Sequence, residues 1–305
     1  MYILRPTNLA EFCGKEDIKR NLTIFIESAK KQNKTLDHML LYGLPGTGKT
    51  SLAMIIANEL GKKIKIIQGN SINRPADLTN LFLSIGEGDI VFIDEIHGIN
   101  KNVVELLFSA MEDYSIDLAI GKDFNTKVTR IKLPHFTLIG ATTKFGKLQL
   151  PLEERFGIVF NLKEYSIEEI KSILQLNCKK MDFVLTEQEI TKIAQNSKSI
   201  PRNAIKILKR VYDFKLNDGS ISIETILKNI KIIDGLTEDD IIYLRLLSNS
   251  KRPIGVKTIS SITNIELETI ENKIEPFLLS NFFVSKNSSG REILEKGKEF
   301  LRQLK

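Results

Sequence analysis

The stretch Gly43–Thr50, GLPGTGKT, constrains this chain more than any other. Glycine at its first and sixth positions and Lys-Thr at its end match the loop G-x-x-x-x-G-K-[ST], which works in only one local setting. Successive backbone N–H groups must converge on an anion, and the next helix must aim its N-terminus at the same point. The flanks meet both demands. The apolar run His38–Tyr42 enters the loop, and Leu52, Ile55, Ile56 and Leu60 leave it at helical spacing, with Gly61 as a stop. Strand, loop and helix therefore predict a phosphate cradle. Gly46 and Gly48 let the backbone approach, Lys49 sets its charge at the β/γ-phosphates, and the Thr50 hydroxyl is placed to ligate Mg²⁺.

The same alternation recurs downstream. IKIIQG (64–69) precedes a helix near Pro75–Ile85, DIVFID (89–94) precedes one near Asn100–Met111, and FTLIGATT (136–143) follows. Apolar strands alternating with amphipathic helices predict an α/β fold, a parallel sheet covered on both faces. One segment breaks the rhythm. Ile116, Leu118 and Ile120 alternate with polar or small residues, GKDFN turns, and TKVTRIKL returns, which reads as an inserted β-hairpin over about 115–133.

Strand signals stop near residue 162. Four helices follow, two opened by the capping boxes Ser166-x-x-Glu169 and Thr186-x-x-Glu189, one with Pro201 in its first turn, and a fourth near Ser222–Ile233. From Leu236 the order is three helices, a strand (NFFVSK), the turn NSSG and a second strand near Glu292, the order of a winged helix. The expected domains are 1–161, a large nucleotide-binding domain with the hairpin, 162–234, a small helical lid, and 235–305, a winged helix.

Composition narrows the setting. The formal charge of +6 inclines the chain toward an anionic partner, yet from Gly235 onward 11 Lys and Arg face 10 Asp and Glu, so any nucleic-acid site must be local. No run of about 18 apolar residues occurs, and the N-terminus lacks the zones of an export signal, so a cytoplasmic protein with no membrane partner is expected. Cys13 and Cys178 lie far apart without C-x-x-C spacing, which argues against a zinc site or a disulfide framework. The three histidines, His38, His97 and His135, are scattered and suggest no metal site.

Five further residues complete a hydrolytic reading. IVFIDE buries a strand that delivers Asp94 to Mg²⁺ and Glu95 to the attacking water. Thr143, at the end of the next strand, is the candidate γ-phosphate sensor. Arg155, between Pro151 and Gly157 on a short exposed segment, is the candidate transition-state cation, and its place at a domain edge points to a neighbouring subunit's site. Arg202, after Pro201, is placed to lean over the phosphates from the lid. GKT, DEIH and GATT in this order also occur in two-lobed DExH helicases, but the remaining residues do not read as a second ATPase lobe. A clamp loader or protein-remodelling AAA+ ATPase shares everything through Arg202, and only the winged helix separates it.

Several long strings carry a resemblance. LRPTNLAEFCGKEDIK, LDHMLLYGLPGTGKTSLA, VFIDEIHGIN, SAMEDYSIDLAIG, LPHFTLIGATTKFG, PLEERFGIVF, PRNAIKILKRVYDF and IEPFLLSNFFVSKNSSGR resemble, in order and spacing, the RuvB family of AAA+ Holliday-junction branch-migration motors. That resemblance implies a hexameric, ATP-hydrolysing translocase on double-stranded DNA in recombination and repair, working with RuvA and RuvC. It implies Leu4 and Arg5 at the adenine end of the pocket with Tyr165 opposite, and Lys49, Thr50 and Ser51 on phosphate and Mg²⁺. It further implies Glu112, Asp113 and Tyr114 lining the nucleotide site, Thr143 as sensor, Arg155 as a finger in trans and Arg202 as the lid arginine. The hairpin would contact RuvA, and Lys286 and Arg291 beside the wing turn would contact DNA. Departures are Leu44 and Thr47 in the loop, Phe12 where the family usually has tyrosine, and a wing, SKNSSGR, poor in arginine. Glu266, Glu268, Glu271 and Glu275 on the third helix of the winged helix make a poor base-reading surface, leaving Lys286, Arg291, Lys251, Arg252 and Lys257 for phosphates.

Overall fold

The computed structural model describes residues 4–120 and 127–304, and the hairpin turn GKDFN lies outside the described residues. The chain divides into two compact units, one running to Val184 and including Ile200–Ile205, the other formed by Leu185–Ser199 and the chain from Lys206 onward. Each is described by itself.

The first unit begins with α1 (Glu16–Gln32), a helix beyond those expected from the sequence. The core elements then alternate as β1 (Met39–Tyr42), α2 (Lys49–Leu60), β2 (Ile64–Gln68), α3 (Pro75–Leu83), β3 (Ile90–Asp94) and α4 (Lys101–Glu112). The hairpin strands β4 (Ser115–Ile120) and β5 (Lys127–Lys132) pair antiparallel before β6 (Thr137–Thr142), α5 (Leu150–Glu153), β7 (Ile158–Asn161) and α6 (Ile167–Lys180). Five strands form one parallel sheet in the order β2-β3-β6-β1-β7. Strand β7 was not foreseen. Its run Ile158-Val159-Phe160 carries the β-branched and aromatic signal, but four residues between a glycine and a lid helix make a faint pattern.

Period-2 alternation explains how the sheet is covered twice. Leu40, Val91, Ile93 and Leu138 pack with Leu78 and Phe82 of α3 and Val103, Val104 and Leu107 of α4. Met39, Leu41, Ile90, Phe92, Ile139 and Ala141 point the other way, onto Leu22 and Ile26 of α1 and Leu52, Ile55 and Ile56 of α2. Each such Leu or Ile contributes about 1.5–3 kcal/mol on burial, so the central strands are the most firmly held part of the unit. Residues at their ends inherit that rigidity.

In the second unit, α7 (Glu187–Gln195), the continuation of α8 (Pro201–Asn217) and α9 (Ile223–Asn229) lead to a short antiparallel pair, β8 (Ile232–Ile233) and β9 (Leu236–Thr237). The last lid helix thus stops earlier than expected. Lys231 and Asp234 adopt left-handed backbone, and Gly235 turns the chain with its N–H held by Asn196 Oδ1 at 2.7 Å. The winged helix follows: α10 (Glu238–Ser248), α11 (Val256–Thr263), α12 (Leu267–Thr269), α13 (Glu275–Ser280), β10 (Val284–Asn287), β11 (Gly290–Ile293) and an unforeseen α14 (Glu295–Gln303). A π turn at Ile270–Ile274 separates α12 from α13. Pro276 has no N–H for the carbonyl four residues back and its ring crowds that carbonyl, so the helix widens there. Leu244, Ile259, Ile270, Leu278, Val284 and Phe300 form one core, and the Lys198–Asp240 ion pair, 2.5 Å, joins the segment before α8 to α10.

Candidate functional site

The strands run in one direction, so their C-terminal ends gather on one edge of the sheet. The phosphate loop leaves β1 there through left-handed glycines, Gly43 at φ 145°, Gly46 at φ 85° and Gly48 at φ 105°. At Gly46 a side chain has no room, because a Cβ would stand 2.8 Å from Arg202 Cβ and 2.9 Å from Ile200 Cγ2. The Arg202 N–H meets the Gly46 carbonyl at 3.4 Å, which sets the lid arginine on the loop. Tyr165, almost fully buried, donates its hydroxyl to the Thr47 carbonyl at 3.0 Å, and burial pushes its phenol well above the usual range. Phe12 lines the other side, 3.2 Å from where a Cβ at Gly48 would sit.

Lys49 is buried, and its ammonium donates to the carbonyls of Gly43 (2.9 Å) and Leu44 (3.0 Å). Desolvation lowers its pKa, Arg202 adds to that shift, and Glu95 and Asp94 oppose it. The four groups therefore share one electrostatic neighbourhood. Asp94 closes β3 and accepts the Glu95 N–H on Oδ1 at 3.0 Å. Glu95 has left-handed backbone, φ 49°, and its carboxylate accepts from the Thr143 N–H at 3.1 Å and from the Thr143 hydroxyl at 3.0 Å. Thr50 and Ser51 are half-buried in the first turn of α2. Leu4 is buried and Arg5 exposed, its guanidinium 3.8 Å from the Met54 sulfur.

Other expected site residues gather on the opposite edge. His38, just before β1, donates Nε2–H to the Met111 carbonyl at 3.0 Å and accepts the Leu138 N–H on Nδ1 at 2.9 Å. The neutral tautomer follows from those two partners, and burial depresses the pKa. Glu112 comes next in the chain, and Arg155 stands beside it. The Arg155 Nε lies 3.1 Å from Glu112 Oε1 without hydrogen-bond alignment, its Nη1 donates to the Pro151 carbonyl at 2.6 Å, and its guanidinium covers the Phe108 ring at 4.2 Å. Tyr114 packs edge-on to His135, with ring centroids 4.5 Å apart, and to Phe136. Strands of four or five residues put this edge about 13–17 Å from the phosphate loop. Glu112, Asp113, Tyr114 and Arg155 are thus removed from their own chain's phosphate loop.

The winged helix brings a correction. Arg291 is only 7% exposed, and its Nε and Nη2 donate to the two oxygens of buried Glu275 at 2.8 and 3.1 Å. Tyr243 donates to the same carboxylate at 3.2 Å. Neither expectation for this pair holds: Glu275 is not on the outer acidic face, and the Arg291 guanidinium is held inside rather than offered to a phosphate. Lys286 stays on the surface, its side chain 49% exposed and its ammonium 3.6 Å from Glu275. Lys251, Arg252 and Lys257 are exposed as expected.

Three family models tile this architecture. The Holliday junction DNA helicase RuvB P-loop domain matches residues 4–162, the RuvB AAA lid domain residues 165–233 and the RuvB C-terminal winged helix domain residues 233–302. The chain belongs to the RuvB family. A protein of Ureaplasma parvum serovar 3 named Holliday junction branch migration complex subunit RuvB is 50% identical over 304 residues, which cover 99% of this chain and 97% of that one. Its Mycoplasma genitalium namesake is 43% identical over 302 residues, covering 99% and 98%. The solved Thermotoga maritima RuvB Holliday junction branch migration motor has a TM-score of 0.87 at 36% identity, covering 98% of each chain. Membership in the RuvB family makes this a P-loop AAA+ ATPase with a lid and a winged helix.

The scattering of the histidines along the sequence suggested no role for them. In the RuvB fold His38 ties β6 to the end of α4, and His97 reaches the catalytic edge with Nδ1 2.8 Å from the Thr142 hydroxyl and 3.2 Å from Glu95 Oε2. The fourth residue of DEIH was the available signal for His97, since only one residue separates it from Glu95.

Proposed function

We propose that this chain is the ATP-driven motor subunit of a Holliday-junction branch-migration complex, a hexameric ring that hydrolyses ATP at the seam between neighbours and draws duplex DNA through itself. The polarity of the sheet carries the reading. Lys49, Asp94, Glu95, Thr143 and Arg202 share one edge, and Arg155 sits on the other, so a complete site needs the Arg155 edge of a second copy. Glu112, Asp113 and Tyr114 then line the neighbour's nucleotide, while Leu4, Arg5, Tyr165, Gly46, Gly48, Lys49, Thr50 and Ser51 hold it in cis.

The chemistry follows from the side chains. Glu95 accepts the proton of the attacking water, Thr143 reports the γ-phosphate, and Lys49 and the neighbour's Arg155 stabilise charge on the transferring phosphoryl. The oxygen donors at Thr50 and Asp94 suit a hard cation, with Asp94 using only Oδ1 on the backbone, so these two residues would hold Mg²⁺, which would neutralise phosphate charge. Arg202 and Tyr165 touch the loop from the lid side, so nucleotide state can alter the lid angle. Lys286, with Lys251, Arg252 and Lys257, meets phosphates of either strand without reading bases. RuvA docks on the 115–133 hairpin, RuvC joins the same complex, and the assembly works in the cytoplasm; among the described residues no helix is long and apolar enough to cross a membrane.

Subunit mixing tests the seam. Arg155→Ala and Lys49→Ala chains, each inactive alone, should regain partial hydrolysis together, because each supplies the edge the other lacks. An absence of recovery at every ratio would refute a shared site. Duplex DNA, with and without RuvA, should stimulate hydrolysis; stimulation by a protein client alone would favour the clamp-loader or remodelling reading.

A further inference from the structure

Glu95 is a long, flexible side chain on a left-handed backbone, at φ 49°, so its carboxylate needs external anchors to occupy one position. Two come from Thr143. The third is the imidazole of His97, whose Nδ1 lies 3.2 Å from Glu95 Oε2 and 2.8 Å from Thr142 Oγ1. We infer that His97 is a positioning residue for hydrolysis, a donor that fixes the Glu95 carboxylate relative to β6.

The hydrogen-bond inventory supports the direction of that contact. A carboxylate can only accept, so the His97 approach is attractive when Nδ1 carries the hydrogen. Thr142 Oγ1 already accepts the Lys144 N–H at 3.0 Å and retains a lone pair for the same imidazole. The Nδ1–H thus lies between two oxygens. One belongs to the carboxylate that takes the water's proton, the other to a fully buried residue at the end of the central strand β6. The local fold makes this possible. The turn after β3 (Ile96–Gly98) sits hard against the turn after β2, where a Cβ on Gly69 would stand 2.3 Å from the Glu95 carbonyl and one on Gly98 would stand 1.8 Å from Asn70 Oδ1. Backbone and imidazole are therefore both fixed to the sheet, and the carboxylate between them is the element that needs orienting.

The inference rests on the reading of Glu95 as the group that activates water, so the experiment includes both residues. Full-length His97→Ala, His97→Asn, Thr142→Val and Glu95→Gln chains are assayed for ATP hydrolysis on duplex DNA, with binding of a fluorescent ADP analogue measured in parallel. In asparagine Nδ2 occupies the position of Nδ1, so His97→Asn keeps the donor. His97→Ala should lower kcat about ten- to hundredfold, the usual cost of displacing a catalytic group by about 1 Å, with KM and analogue affinity within about threefold. His97→Asn should restore most of kcat, which a loss of packing alone would not allow. Native turnover in His97→Ala, or equal defects in the Ala and Asn variants, would overturn the inference. If His97→Ala cannot be purified folded, Thr142→Val, which removes the imidazole's anchor, must show the same split, and native kcat there overturns it too. Normal hydrolysis by Glu95→Gln would instead remove the role of Glu95 itself, whereas an inactive Glu95→Gln beside a fully active His97→Ala rejects only the role of His97.

Discussion

Removing the Arg291 side chain separates two roles that look alike in sequence. The guanidinium grips Glu275 through two bonds of 2.8 and 3.1 Å, and the Glu275 side chain is 2% exposed. In Arg291→Ala that buried carboxylate keeps only the Tyr243 hydroxyl at 3.2 Å and the half-exposed Lys286 ammonium at 3.6 Å. Breaking one side of a buried pair costs about 3–5 kcal/mol, and the two remaining contacts place this case near 3. At about 1.4 kcal/mol per tenfold, the winged helix should open on the order of a hundred times more often. Amide hydrogen exchange on the full-length chain measures this locally, in α10 and α13, where a melting curve of several domains would blur it. The expected outcome is roughly hundredfold faster exchange there in Arg291→Ala, and native exchange with weaker DNA binding in Lys286→Ala. Replacing both partners by Glu275→Leu with Arg291→Met should recover much of the protection, because an apolar pair leaves no stranded charge. Native exchange in Arg291→Ala would refute the reasoning and return Arg291 to the DNA surface.

Other consequences can be measured directly. Tyr165→Phe loses the bond to the Thr47 carbonyl, worth about 0.5–1.5 kcal/mol, so the KM for ATP should rise about two- to tenfold, and an unchanged KM would remove Tyr165 from the loop's support. Gly46→Ala must hold a Cβ at φ 85° and 2.8 Å from Arg202 Cβ, so nucleotide affinity should fall at least tenfold, roughly 1.4 kcal/mol, and wild-type binding would contradict the packing. The lowered pKa of His38 sets the sign of a pH effect. The unfolded chain takes up the proton first, so its contribution is complete above about pH 6.5 and declines as pH falls, by up to about 1.4 kcal/mol per unit. Melting between pH 7.5 and 5.5 should show a shallower slope in His38→Gln, and an equal slope would assign the loss to other groups.

Local features carried most of the architecture. The glycine loop with its flanking strand and helix, the alternation of strands and helices, the capping boxes at Ser166 and Thr186 and the Asp94-Glu95 pair were all legible, because each is a pattern within a few residues of chain and obeys the period of a helix or a strand. Short or interrupted elements were not, as β7, the early end of α9 and the π turn before Pro276 illustrate. Tertiary structure alone decided which charges are free. Arg291 meets a glutamate 16 residues away, Arg155 shares an edge with Glu112, and His97 bridges Glu95 to a strand end 45 residues further on. A charged residue reads the same in sequence whether solvated or buried. Its partner is set by the packing of distant elements, and in the low dielectric of the interior that partner determines whether the residue supports the fold, the chemistry or the surface.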